Sequence, residues 1–278
     1  MSATISAADV KKLRDLTGAG MMDCKKALAE SGGDFEGAID ILRKKGQKLS
    51  AKRADREANE GVVIAMVSDD NKKGVVVKLS CETDFVAKND DFVKLTESFA
   101  KIALDNFPAD LEALLALPYE DGVTVGEKVT EQVGVIGEKI ELANYEHIEA
   151  PQVVSYIHMG NKAGVILGLN MDDKAFHDAG RDVAMQVAAM RPIAVNEDGV
   201  DQETIQKEIE IGMEVARNEG KPEAMLEKIA KGKLNKFFKE NTLLNQQFVK
   251  DNKQSVKDYL KSLNSDLTVT DFKHVKLG

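Results

Sequence analysis

Val62–Leu79 reads VVIAMVSDDNKKGVVVKL, and Val153–Leu169 reads VVSYIHMGNKAGVILGL. Each is an apolar run rich in β-branched residues, a short polar break and a second apolar run, which is the pattern of a β-hairpin. The breaks put one turn near Asp69-Asp70-Asn71 and the other near Gly160-Asn161. The sequence that follows repeats as well. Phe92–Pro108 reads FVKLTESFAKIALDNFP and Phe176–Pro192 reads FHDAGRDVAMQVAAMRP, two helices of equal length that begin with Phe and end before Pro. The body of the chain is therefore two copies of a hairpin-then-helix unit, and this duplication decides the fold.

The copies differ in one place. Gly74 to Phe92 spans 18 positions, whereas the matching Gly164 to Phe176 spans 12. The surplus falls in Cys81-Glu82-Thr83-Asp84-Phe85-Val86-Ala87-Lys88. The fold does not need it, because the second unit manages without it, and surplus loops carry function more often than cores do. Phe85 has two readings here. It folds back onto its own helix, or it stays exposed because a partner buries it. Glu82 and Asp84, two apart, can share a strand face, which is a weak signal for acid–base chemistry since such pairs come from separate elements.

Working outward, residues 1–45 predict three short helices. Ser6 and Asp9 form a capping box ahead of Val10, Leu13 and Leu16 on one face. Thr17-Gly18-Ala19-Gly20 stops that helix, a second from about Met22 carries Ala27 and Leu28, and Asp34 caps a third with Phe35, Ala38, Ile39 and Leu42 inward. So small a core suits a docking head rather than an enzyme. Adjacent Met21 and Met22 point about 100° apart on a helix, so they do not both face one core and one is a candidate contact residue; core filling is the other reading. Residues 46–60 are polar and mixed in charge, a linker with partial helix, read as a solvated tether rather than an RNA contact. Residues 61–146 and 147–278 then hold the two core units. Within the second, Thr204–Glu219 and the segment after Gly220-Lys221-Pro222 predict an antiparallel helical hairpin at about 200–240 that projects from the body. A helix followed by a strand leads from 128 to 150 into the second unit, and a last helix and strand close the chain. The fold class is α+β.

The chain of 278 residues is 43% hydrophobic and 31% charged, with net charge −9. Residues 1–60 carry 12 Lys and Arg against 10 Asp and Glu, and the remainder 26 against 37. An acidic body argues against nucleic acid as the main partner. Two cysteines, Cys24 and Cys81, make neither a disulfide framework nor a zinc site. No secretory pattern opens the sequence, no apolar run is long enough to span a bilayer, and a cytoplasmic protein is expected. There is no phosphate-binding GxxxxGK[ST] loop, the four histidines lack metal-ligand spacing, and no nucleophile elbow occurs. Neither an enzyme nor a cofactor or metal site is expected.

Two motifs resemble the translation elongation factor Ts family. One is Thr17-Gly18-Ala19-Gly20-Met21-Met22-Asp23-Cys24-Lys25-Lys26-Ala27-Leu28, the other Cys81–Lys88. Tyr156-Ile157-His158-Met159-Gly160, the Gly220-Lys221-Pro222 turn and Gln247-Phe248-Val249 agree, so the likeness covers nearly the whole chain. The resemblance implies a guanine nucleotide exchange factor for the GTPase elongation factor Tu. It implies a ubiquitin-associated-like head that docks on the partner's nucleotide-binding domain through Met21 and Met22. It also implies that Thr83, Asp84, Phe85 and Val86 dislodge magnesium, and that His158 reaches a different domain of the partner. The C-terminal helical module of some members is expected to be missing. The stoichiometry of such a complex, one-to-one or two-to-two, stays open. The alternative class is a ubiquitin-associated-like adaptor without exchange activity.

Overall fold

The computed structural model of the chain describes residues 5–120 and 122–278; residues 1–4 of the expected head lie outside the described residues, as does residue 121. The head consists of α1 (Ala7–Thr17), α2 (Met21–Glu30) and α3 (Phe35–Arg53). The Ser6–Asp9 capping box forms, Gly18 closes α1 in the left-handed region at φ 69°, and Asp34 caps α3 through Gly37 N. Val10, Leu13, Cys24, Ala27, Leu28 and Ala38 make the small core. Leu16, expected to point inward, is 63% exposed. It sits at the last turn of α1, where the chain reverses and leaves that face uncovered.

The polar segment 46–60, read as a tether with partial helix, is helical as far as Arg53. This half of α3 packs on another helix instead of trailing in solvent. Gly46 crosses α7 (Val125–Ile136) at Gly134, so closely that a Cβ added to Gly134 would lie 2.9 Å from the Gly46 Cα. Arg43 Nε donates to Glu131 Oε1 across the same crossing at 2.8 Å. Sequence periodicity does not show such a contact, because two glycines present no apolar stripe.

The body is two three-stranded antiparallel sheets. The first contains β1 (Glu60–Val67), β2 (Lys73–Cys81) and β3 (Glu141–Glu149), the second β4 (Gln152–His158), β5 (Ala163–Leu169) and β8 (Val269–Lys276). Between β2 and β3 the chain forms the one-turn α4 (Asp84–Ala87), α5 (Asp90–Asn106), α6 (Leu111–Ala116) and α7. Between β5 and β8 it forms α8 (His177–Met190), α9 (Gln202–Asn218), α10 (Glu223–Asn241), the small ribbon β6 (Gln247–Phe248) and β7 (Asp251–Ser255), and α11 (Val256–Leu263). The strand after α7 pairs with β2, so it closes the first sheet rather than entering the second unit. The duplication is therefore larger than hairpin plus helix: each unit ends in a third strand laid beside its second.

The sheets stack face to face through Val63, Ala65, Val76, Ile148, Val153, Ile166 and Val275. Helix α5 covers the outer face of one and α8 the outer face of the other. Strands buried on both faces carry no polar alternation, which is why Val75–Val77 and Val165–Leu167 read as unbroken apolar runs. The equivalent Gly74 and Gly164 lie where the two sheets press closely together. A Cβ at Gly74 would lie 2.6 Å from Val153 Cγ1, and one at Gly164 would lie 2.9 Å from Val63 Cγ1.

The expected helical hairpin is present as α9 and α10. Its helices meet at Gly212, where an added Cβ would lie 3.1 Å from the Ala230 Cα, and at the buried Ala216 and Leu226. Pro222 caps α10 one position before its first turn.

Candidate functional site

The surplus of the first unit folds into a short, firmly held projection. Thr83 caps α4 by accepting from Val86 N at 3.5 Å. Asp84 opens the helix and faces solvent, where Lys88 Nζ donates to its carboxylate at 2.6 Å; this hydrogen bond, reinforced by the lysine charge, holds the Asp84 carboxyl below its ordinary range. Phe85 is 84% exposed, so it does not fold back onto its own helix. Val86 and Ala87 turn inward against the first core. The four expected residues therefore divide by role: Thr83 and Val86 anchor, and Asp84 and Phe85 are presented.

Two carboxylates hold the base of this tip. Glu138 Oε2 accepts from Glu82 N at 3.1 Å and from Thr83 N at 3.0 Å, while its Oε1 accepts from the Thr83 hydroxyl at 2.6 Å. Glu82 reaches the other way. Its carboxylate accepts from Lys139 N at 2.6 Å, from Arg53 Nη1 at 2.6 Å and from Arg56 Nη1 at 3.1 Å. Partial burial works against the Glu82 charge, but the Lys139 N–H and the two guanidinium groups outweigh it and keep the carboxyl below its ordinary range. Glu82 and Asp84 thus point to different partners and do not share a strand face as an acid–base pair. Cys81 lies beneath, its Sγ donating to Thr83 O at 3.2 Å; burial, with the Glu138 charge behind it, pushes the thiol up to about 12. Such a thiol is inert.

In the head, Met21 and Met22 open α2 after an N-cap, Gly20, that offers no side-chain oxygen. Both are exposed, 48% and 62%, so neither fills the core. The reason is that the α1–α2 turn lies on the outside of the head, and the core is complete with Cys24, Ala27 and Leu28. His158 ends β4 in an exposed position, with its Nδ1 3.2 Å from the Tyr156 hydroxyl. Beside it Met159 is 83% exposed, a feature that the sequence reading passed over. The two hairpins run opposed, since Val153 N donates to Asn71 O at 2.6 Å while Gly164 sits over Val63. The turn carrying His158 and Met159 therefore lies toward the end of the sandwich from which the tip projects.

Among the described residues no group of three or more His, Cys, Asp or Glu is placed to hold a metal ion, and no helix is long and apolar enough to cross a membrane. What the surface offers is a set of presented apolar side chains on held backbone, a geometry for gripping another protein.

The profile of the family described as Elongation factor TS matches residues 82–278. The chain belongs to the elongation factor Ts family. Full-length relatives agree. The Elongation factor Ts of Christiangramia forsetii is 58% identical over 276 residues, covering 99% of this chain and 100% of the relative. That of Flavobacterium psychrophilum is 55% identical over 276 residues with the same coverage. That of Chloroherpeton thalassium is 43% identical over 286 residues, covering 99% of each chain. As a Ts factor the chain is a translation elongation factor. The tip opens the profile match at Glu82, whereas Arg53, its partner, lies in the head ahead of it. Neither Arg53 nor Glu138 carried a sequence signal, because each meets the tip across a long separation and neither belongs to a motif.

Proposed function

We propose that this Ts factor is a guanine nucleotide exchange factor that grips the GDP form of elongation factor Tu in the cytoplasm and promotes GDP release by displacing magnesium. Met21 and Met22 dock the head, Phe85 wedges between partner elements, Asp84 disturbs the water shell of the partner's magnesium, and His158 engages a second partner domain. The observation that carries this reading is Phe85, 84% exposed on a helix whose base is pinned by Glu138 and Glu82. A phenylalanine held out in water has no folding benefit, and a partner that buries it supplies one.

The energetics favour a broad grip. A GTPase with nanomolar affinity for GDP binds it with about −12 kcal/mol. Exchange needs no bond chemistry, only a state of the partner in which GDP and magnesium bind poorly. By reciprocity, whatever the factor takes from GDP affinity GDP takes from the factor's affinity. A 10⁴-fold weakening requires about 5.5 kcal/mol of differential binding, while burying one phenylalanine contributes about 1.5–3 kcal/mol. The wedge therefore works only while the head and the second unit hold the partner. Asp84 must also leave Lys88 to reach a magnesium shell; that ion pair is exposed and screened by solvent, so it is a weak hold.

The test is release of fluorescent GDP from elongation factor Tu. Phe85→Ala is expected to slow release at least about tenfold, the equivalent of about 1.4 kcal/mol, while complex formation largely survives. Release at the unaltered rate would sink the wedge. A factor that never accelerates release, even unmutated, would be an adaptor.

A further inference from the structure

The tip cannot hold itself up. Helix α4 is a single turn, and so short a helix is not stable in water without tertiary support. Its support is the two-way exchange at its base: the backbone N–H groups of Glu82 and Thr83 go to the Glu138 carboxylate, and the backbone N–H of Lys139 goes to the Glu82 carboxylate. Gly137, in the left-handed region at φ 83°, ends α7 and brings the next residue, Glu138, back to the tip. Arg53, the last residue of α3, bonds Glu82 on the other side. That same α3 builds the head at Ala38 and touches α7 backbone to backbone at Gly46. One helix thus passes through the head, the α7 crossing and the tip.

The second unit provides the control. There the loop after β5 meets the loop before β8 through a neutral amide: Asn170 Nδ2 donates to Asp266 O at 2.8 Å, and Asn170 Oδ1 accepts from Thr268 N at 2.8 Å. No head and no tip are attached to it. Where the first unit carries a projection, the joint is built from charged groups, whose hydrogen bonds are roughly twice as strong as neutral ones.

We propose that Glu138 is a positioning residue for nucleotide exchange, and that with Glu82 and Arg53 it makes the docking head and the Phe85 tip one rigid unit through α3. The inference rests on the exchange reading given above. Docking of the head then fixes where the phenylalanine arrives, so the joint governs the maximal release rate and not the affinity of the complex.

The experiment titrates the factor against elongation factor Tu loaded with fluorescent GDP and separates the maximal release rate from the half-saturating concentration. Glu138→Ala is expected to lower the maximal rate about tenfold and leave half-saturation within about twofold, the signature of misplacement rather than lost binding. Glu138→Gln keeps an acceptor oxygen and is expected to restore most of the rate. Arg53→Met is expected to lower the rate about threefold. Asn170→Ala, which cuts the matching joint of the second unit, is expected to leave release unchanged while lowering the thermal midpoint. In a Phe85→Ala background, Glu138→Ala is expected to add nothing, since a misplaced wedge and a missing wedge are the same loss.

Three results overturn the proposal: release by Glu138→Ala at the unaltered rate, a shift in half-saturation as large as the fall in rate, or additive losses in the double variant. If Glu138→Ala does not fold by circular dichroism, Arg53→Met and its double variant with Phe85→Ala decide the same question. If Phe85→Ala alone releases GDP normally, the wedge reading has failed. If Phe85→Ala is slow and Glu138→Ala is fast, the positioning role alone has failed.

Discussion

The two units of the body are the same device built to different ends. A shift of 90 positions carries Gly74 onto Gly164 and Lys78 onto Gly168, and the ladder to the third strand is bulged at that point in both, between Lys78 and Leu79 and between Gly168 and Leu169. Phe107 and Arg191 close α5 and α8 in identical left-handed geometry, φ 49° and ψ 54°, each just before a proline. Conserving an uncommon backbone state at a non-glycine residue in both copies marks it as part of the repeat. What differs is the link from second strand to helix: a neutral joint at Asn170 in one unit, a charged joint and an exposed tip in the other. The shared parts make a fold and the surplus makes a site.

The units also differ in how they fill their cores, and this predicts the largest effect. Phe99 on α5 is fully buried, and its ring meets Tyr119 edge to face at 5.6 Å. The matching position on α8 is Val183, also fully buried, and the second core is completed by Leu243, Leu260 and Phe248 from beyond the repeat. Phe99→Ala should destabilise the chain by about 3–5 kcal/mol. Val183→Ala should cost about 2 kcal/mol, from the two methylene equivalents removed and the small cavity left. Urea unfolding followed by circular dichroism measures both. Equal losses would mean that the helices carry equal burdens and that the asymmetry of the cores has no energetic weight.

The same contrast explains what the sequence showed. Both hairpins, both long helices, the capping box at Ser6 and the α9–α10 hairpin are legible because local periodicity and punctuation encode them. The length surplus at Cys81–Lys88 is legible because the second copy serves as a ruler. The third strand of each sheet is less so: Glu141–Glu149 reads as a strand, but its pairing with β2 is a long-range fact. The helical half of 46–60 was half hidden because its packing rests on Gly46 against Gly134, where the signal is an absence of side chain. Glu138 and Arg53 were invisible for a related reason. A polar residue that bonds main-chain groups across 55 positions, or a carboxylate across 29, leaves no local pattern.

A sharper test of the repeat lies where the sheets touch. Gly74→Val and Gly164→Val would each push a branched side chain into valines of the opposite sheet, since even a Cβ already falls at 2.6 Å and 2.9 Å from them. Each should destabilise by about 1–3 kcal/mol, the usual result of overpacking. Because the two glycines are equivalent across the sandwich, the losses should match within the scatter of the measurement. A large loss at one glycine and none at the other would show that the sheets are not related as the registers imply.

The smallest predicted effect separates the two joints by their chemistry. The Glu82 carboxyl is held below its ordinary value of 4.5 in the folded chain. A depressed folded value means that the group contributes stability above the unfolded value, and that this contribution is lost as pH falls below about 4.5 and through the folded value. Protonated Glu82 still accepts from Lys139 N, but as a neutral group and without its attraction to Arg53 and Arg56, so the bond weakens without vanishing. Asn170 does not titrate. Amide hydrogen exchange, corrected for its intrinsic pH dependence, should therefore show the protection of Lys139 N–H level from about pH 6 to about pH 5 and falling as the pH drops below about 4.5, while that of Thr268 N–H, bonded to Asn170 Oδ1, stays level throughout. Parallel behaviour of the two amides would place the loss in the sandwich as a whole and remove the charged joint as a separate element. Divergence would show that the first unit's joint opens by itself, with both sheets still intact beneath it.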